Sequence, residues 1–189
     1  MVQKSKPAYL EKISKQIVTS VQQSLSERSS VAFSKDPETA VADIIEFDSR
    51  MRLFGLEKFN GPCYLSCVQY YTSQEAKTNK DAAGAIVVYF NSLFASRLLK
   101  TLGYREFNES DEETVIQSCS EFASVIAQNF SSQLRGLGYP NLVVSDPIKA
   151  KNDIPEGIEF DYSQNSYAKA SFYIWKEKIL AVDVTLPSV

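Results

Sequence analysis

The chain of 189 residues contains no histidine. That removes every Ser–His–Asp or Cys–His relay and any zinc site built on imidazole. Proton handling is left to carboxylates, Lys, Tyr, Cys, Ser or water. Glycine is scarce, with seven in the chain. No G-x-x-x-x-G-K-[ST], G-x-G-x-x-G or EF-hand pattern occurs, so nucleotide and calcium binding have no support and no cofactor is expected. Positive charge is not in excess: 20 Lys and Arg stand against 23 Asp and Glu, a net charge of -3. A nucleic-acid partner, which calls for a basic stripe, is not expected. No run approaches the ~18–20 apolar residues that cross a bilayer. The opening MVQKSKPAYLEKISKQ lacks the apolar core of a signal peptide, and a cytoplasmic protein without membrane insertion is the expectation.

Cysteine is also sparse. Cys63, Cys67 and Cys119 are odd in number, and no second pair completes a zinc site, so no metal centre is expected. Cys63 and Cys67 lie four apart in an apolar run. On a strand they face one side, as small buried residues. What the chain does have is a 44% hydrophobic content, enough core for a single domain over 1–189, with 1–7 as a flexible start.

Residues 8–26 read as an amphipathic helix, with Leu10, Ile13, Ile17, Val21 and Leu25 at spacings of three and four. A loop follows over 26–40, and 41–58 is mixed, fitting strand or short helix plus strand. Asn60–Gly61–Pro62 is turn chemistry before the strand CYLSCVQYY. Polar QEAKTNKDAAG then joins it to AIVVYF at 85–90, a nearly all-apolar and therefore central strand. A short helix is expected over 91–102, capped by Asn91 or Ser92 and ended by Gly103.

The longest helical signal covers about 111–137. Acidic residues crowd its start, and Val115, Cys119, Phe122, Ile126, Phe130, Leu134 and Leu137 form one stripe. NLVVSDP and IPEGIEFDY read as short strands. SYAKASFYIWKEKILAVDVTL reads as a closing hairpin turning at Lys176–Glu177–Lys178. Runs of strands and helices without strict alternation predict an α+β fold, an antiparallel or mixed sheet with helices on one face.

On the long helix, ~100° per residue places Gln117 about 40°, Ser124 about 60° and Gln128 about 20° from Glu121. These four form one row opposite the Phe122/Ile126 stripe. By residue type alone such a row is most simply a solvated helix face. Acidic residues between 146 and 161 fall on mixed faces and read as a solvated edge. Trp175 is placed to anchor an interface or the core.

The segment ESDEETVIQSCSEFASVIAQNFSSQLRGLGYPNLVVSDP resembles the signature region of the CheX/CheC class of chemotaxis phosphatases. In that class an Asp or Ser precedes a Glu by four residues, an Asn follows the Glu by three, and a Pro lies further on. Glu121 occupies the Glu position, Pro147 falls at the family's distance from residue 124, and Asn129 matches a second family Asn. The element layout over roughly 8–186 is similar as well.

The resemblance implies a CheX/CheC-like fold, a CheY-like receiver domain as partner, and a homodimer formed through the sheets. It also implies phosphatase chemistry on the receiver's acyl phosphate. The family Glu engages a receiver Lys and the family Asn orients water for in-line attack, a reaction of positioning and electrostatics. Here Gln117 stands at the Asp/Ser position and Ser124 at the Asn position, and serine has no carboxamide to present. Two readings stay open. The chain is a receiver-binding relative lacking the standard activity, or it is an active aspartyl-phosphate phosphatase in which Gln128, ~6 Å further along the ridge, supplies the amide. Asn129, on the apolar side, is expected to make a structural hydrogen bond. A plainer third reading is a helix–sheet dimer whose helix face has no phosphoryl partner. Glu11 and Ser14 repeat the E-x-x-S spacing on the first helix, a two-residue match that arises readily by chance.

Overall fold

A computed structural model describes residues 8–43, 45–47, 51–53, 58–105, 107–152 and 165–189. The strand expected within 154–162, most of the acidic 146–161 stretch and the start at 1–7 lie outside these residues. The chain opens with α1 (Ala8–Ser26), then β1 (Glu38–Asp43) and a small hairpin of β2 (Ile45–Phe47) and β3 (Met51–Leu53). It continues through β4 (Cys63–Tyr71), α2 (Gln74–Thr78), β5 (Gly84–Asn91) and α3 (Ser92–Thr101). The long helix α4 (Glu112–Leu134) ends in a 3-10 turn, Arg135–Leu137. Four strands close the chain: β6 (Val143–Val144), β7 (Ile148–Lys151), β8 (Ser166–Ile174) and β9 (Glu177–Thr185).

Seven of these strands form one sheet in the order β1-β8-β9-β5-β4-β6, with β7 also paired to β4. Every pairing is antiparallel. The fold is α+β. Strand β5 is central, between β4 and β9, and is buried on both faces from Gly84 to Phe90. Gly84 is required there: a Cβ would meet the Thr185 carbonyl oxygen, far inside van der Waals contact.

Alternation along the strands sorts side chains between two faces. Val68, Tyr70, Val88, Phe90, Phe172 and Val182 share one core with the apolar stripes of α1, α3 and α4. Cys63, Leu65, Cys67, Val87, Tyr89, Tyr167 and Ala181 form a second cluster on the opposite face. Cys63 and Cys67 thus share a side, and burial raises both thiols, so neither is a ready thiolate. This face also holds a buried ion pair, Lys58 Nζ to Asp183 Oδ2 at 2.5 Å. Burial pushes the Asp183 carboxyl up to about 6 against the pull of Lys58.

Four local expectations are corrected. The linker after β4 contains a one-turn helix, α2, whose N-cap Ser73 accepts from the Ala76 amide. The final hairpin turns one residue earlier than expected. Trp175 and Lys176 hold φ of 55° and 69°, while Glu177 and Lys178 are already in β9. Bulky residues in the left-handed region carry no turn signature, which misplaces the bend. The NLVVSDP strand is only Val143–Val144, and a further edge strand, β7, follows it. Both lie end to end along β4, and the break between them contains Pro147, which has no amide to donate to a ladder.

Candidate functional site

Helix α4 begins where Asp111 accepts from the Glu113 amide, with Glu112 and Glu113 in its positive first turn. Three polar contacts set its register on the sheet. The Tyr64 hydroxyl donates to Glu112 Oε1 at 3.0 Å, the Ser66 and Ser120 hydroxyls meet at 3.1 Å, and the Tyr70 hydroxyl donates to the Ala127 carbonyl at 3.0 Å. Phe122 and Phe130 pack in the core against Phe90 and Tyr70. Burial and the Glu112 carboxylate together raise the Tyr64 phenol to about 12, so this anchor remains a donor.

The helix is flanked on both sides as well as below. On one flank Asn129 Nδ2 donates to Ser24 Oγ at 2.9 Å and to Glu27 Oε2 at 3.4 Å on and just beyond α1. On the other, Ser120 faces β4. Beyond the first turn, where Glu112 and Glu113 are also exposed, a narrow sector is left to solvent, and Gln117, Glu121, Gln128 and Ser132 occupy it. Three of the four residues placed in the row by helical geometry are therefore exposed.

Ser124 is the exception. It is half-buried at the margin of the sector, on the Ser120 side, and its hydroxyl donates back to the Ser120 carbonyl at 3.1 Å. Turning inward satisfies the hydroxyl locally and leaves it no outward reach. Gln128 differs: its carboxamide is exposed, and no hydrogen-bond partner for it exists among the described residues. It lies ~10 Å along the axis from Glu121 at 1.5 Å per residue. Pro147 is half-buried in the β6–β7 break, away from the ridge residues in sequence and serving the sheet edge.

Beside Glu121 the surface dips into an open groove of about 690 Å³, lined on one side by Gly103, Tyr104 and Arg105 and on the other by Gln117, Glu121 and Lys149. Lys149 was not legible as a site residue. It projects from β7, where Ile148 and Ala150 pack on the second sheet face and Lys149 and Lys151 point toward α4. Lys149 Nζ lies 2.5 Å from Glu113 Oε1 and 2.9 Å from Gln117 Oε1, and Lys151 pairs with Glu112 at 2.7 Å. Lys151, and after it the Tyr64 hydroxyl, hold the Glu112 carboxyl below its usual range. The period-two pattern Ile-Lys-Ala-Lys was the signal that could have found β7. In the groove wall, burial raises the Tyr104 phenol, and its hydroxyl is buried without a hydrogen-bond partner among the described residues. Its ring lies under the Arg28 guanidinium, 4.9 Å from the centroid.

The first-helix echo has a different setting. Glu11 is exposed, but Ser14 is 3% exposed and bonds to the Leu10 carbonyl at 3.0 Å. The pair does not form a surface row. Among the described residues, no group of three or more cysteine and acidic side chains is placed to hold a metal ion, and no helix is long and apolar enough to cross a membrane.

No family model matches the sequence, and no curated protein matches it. Solved structures do. CheX from Vibrio vulnificus superposes with a TM-score of 0.60 at 11% identity, covering 93% of this chain and 99% of its own. CheX of Borrelia burgdorferi, solved as a CheX–CheY–BeF3–Mg2+ complex, gives 0.57 at 16% identity over 92% and 97%. FliY of Thermotoga maritima gives 0.58 at 16% identity over 98% and 92%. Antiparallel sheet, helical layer and near-complete coverage agree, and the chain has the fold of the CheX/CheC class of chemotaxis proteins.

Proposed function

We propose that this protein binds a CheY-like receiver domain through the exposed ridge of α4, with Glu121 as the docking carboxylate and without the dephosphorylating activity of the class. The observation that carries the reading is the contrast within the ridge. Glu121 faces solvent at the lip of a groove, whereas Ser124, at the position of the family's catalytic Asn, is turned in on its own helix. A carboxylate at that position suits a cationic side chain of the partner. A hydroxyl bound to the Ser120 carbonyl has neither the reach nor the donor geometry to orient an attacking water. The fold neighbour solved with CheY supports the choice of partner. A homodimer through the sheets belongs to the same reading and is checked by sedimentation.

A second reading is favoured by the free carboxamide of Gln128. In it the protein is an aspartyl-phosphate phosphatase whose amide comes from one turn beyond the usual position. The experiment that separates the two uses a CheY-like receiver charged with acetyl phosphate, following both binding and phosphate release. Binding with an unchanged phosphate lifetime supports the first. Accelerated release that is lost in Gln128→Ala supports the second and overturns the first.

A further inference from the structure

The residue four before Glu121 departs from the family pattern, and the structure gives that departure a partner. Gln117 is exposed on α4, one turn before Glu121. Its side-chain oxygen accepts from Lys149 Nζ at 2.9 Å, and its side-chain nitrogen donates to Glu121 Oε1 at 3.2 Å. An amide has one acceptor end and one donor end. The ammonium of Lys149 can only donate, so it selects the orientation in which the Gln117 NH2 faces Glu121. Lys149 is itself steered by Glu113, 2.5 Å away, and by the strand pairing of β7 with β4.

We infer that Lys149 and Gln117 are positioning residues: a directional relay from strand β7 through the amide of Gln117 holds the Glu121 carboxylate with one oxygen occupied and the other turned to the incoming partner. The inference rests on the reading of Glu121 as the docking group. It accounts for glutamine at this position, because the relay needs both a donor and an acceptor on a side chain long enough to span from Lys149 to the next turn. A serine or aspartate is too short to bridge the two.

The relay makes a prediction that mere occupancy of space does not. Gln117→Glu keeps the shape and still accepts from Lys149, but it cannot donate to Glu121 and sets two carboxylates one turn apart. Gln117→Ala only removes the relay. Binding to a beryllofluoride-charged CheY-like receiver is therefore expected to weaken about two- to five-fold in Gln117→Ala, the range of an exposed polar pair, and further in Gln117→Glu. The reverse order, with glutamate better than alanine, overturns the relay.

A readout on the protein alone runs in parallel. In 15N-labelled protein the side-chain amide signals of Gln117 are expected to move in Lys149→Met and in Glu121→Ala, while those of Gln128 stay in place. Gln117 signals that move in neither variant overturn the relay whatever the receiver does. A receiver that binds Glu121→Ala as well as the parent overturns the docking reading instead, and leaves the amide signals to judge the geometry.

Discussion

Two helices of this protein carry a Glu-x-x-Ser with an exposed glutamate and an inward-turned serine, and only on one of them does the glutamate border a groove. On α4 the exposed Glu121 has Gln117 bonded one turn before it and the free carboxamide of Gln128 beyond it. On α1 the residue seven beyond Glu11 is Val18, which packs against the core. Ser14 is sealed, together with Ser20 and Ser24, in the buried face of α1, each hydroxyl bonded four residues back along its own helix. The serines are chemically alike and locally satisfied in the same way. What separates the two helices is their neighbours. Strand β7 and the α3–α4 connection build a groove with a cation beside Glu121, and nothing equivalent faces Glu11 among the described residues. A two-residue spacing does not make a site; the elements packed around it do.

The sharpest way to break this comparison is to remove the two glutamates. Glu121→Ala is expected to weaken receiver binding by ~2 kcal/mol or more, as loss of a central anchor does, while Glu11→Ala leaves it unchanged; isothermal titration of both variants reads this. Equal losses would return α1 to the site. Next in size, exchanging the serines for asparagine separates their environments. Ser14→Asn forces a larger amide into a closed core, with a cost of about 1–3 kcal/mol in urea unfolding. Ser124→Asn, at the margin of an exposed sector, stays within about 0.5 kcal/mol. That same Ser124→Asn variant restores the family residue, and faster phosphate release from a charged receiver is the expected gain. Smallest are the polar neighbours on α4. Asn129→Ala loses its bonds to Ser24 and Glu27 and about 1 kcal/mol, whereas Gln128→Ala changes stability by less than about 0.5 kcal/mol. Thermal unfolding distinguishes them.

Much of this arrangement is legible in the residues. The stripe from Val115 to Leu134 is periodic enough to orient α4, and rotation about its axis brings Gln117, Glu121 and Gln128 to one side without further information. The same arithmetic fails at Ser124. It counts only the apolar stripe, while β4, α1 and α3 together cover far more of the helix than one face. The serine at the edge of the remaining sector is half enclosed as a result. Lys149 was invisible for another reason: it reaches Gln117 across 32 residues of chain. Such a contact follows from strand pairing, and β7 is a four-residue edge strand next to a proline. The final turn was misplaced because Trp175 and Lys176 adopt left-handed backbone without glycine or asparagine to announce it.

The central claim is tested most directly by titrating the protein into a purified CheY-like receiver carrying its acyl phosphate and timing inorganic phosphate release alongside complex formation. The account predicts a complex that forms with the parent protein, weakens about thirty-fold or more with Glu121→Ala, and leaves the phosphate lifetime where it was. Release that quickens on addition of the parent, or a complex indifferent to the loss of Glu121, would contradict it.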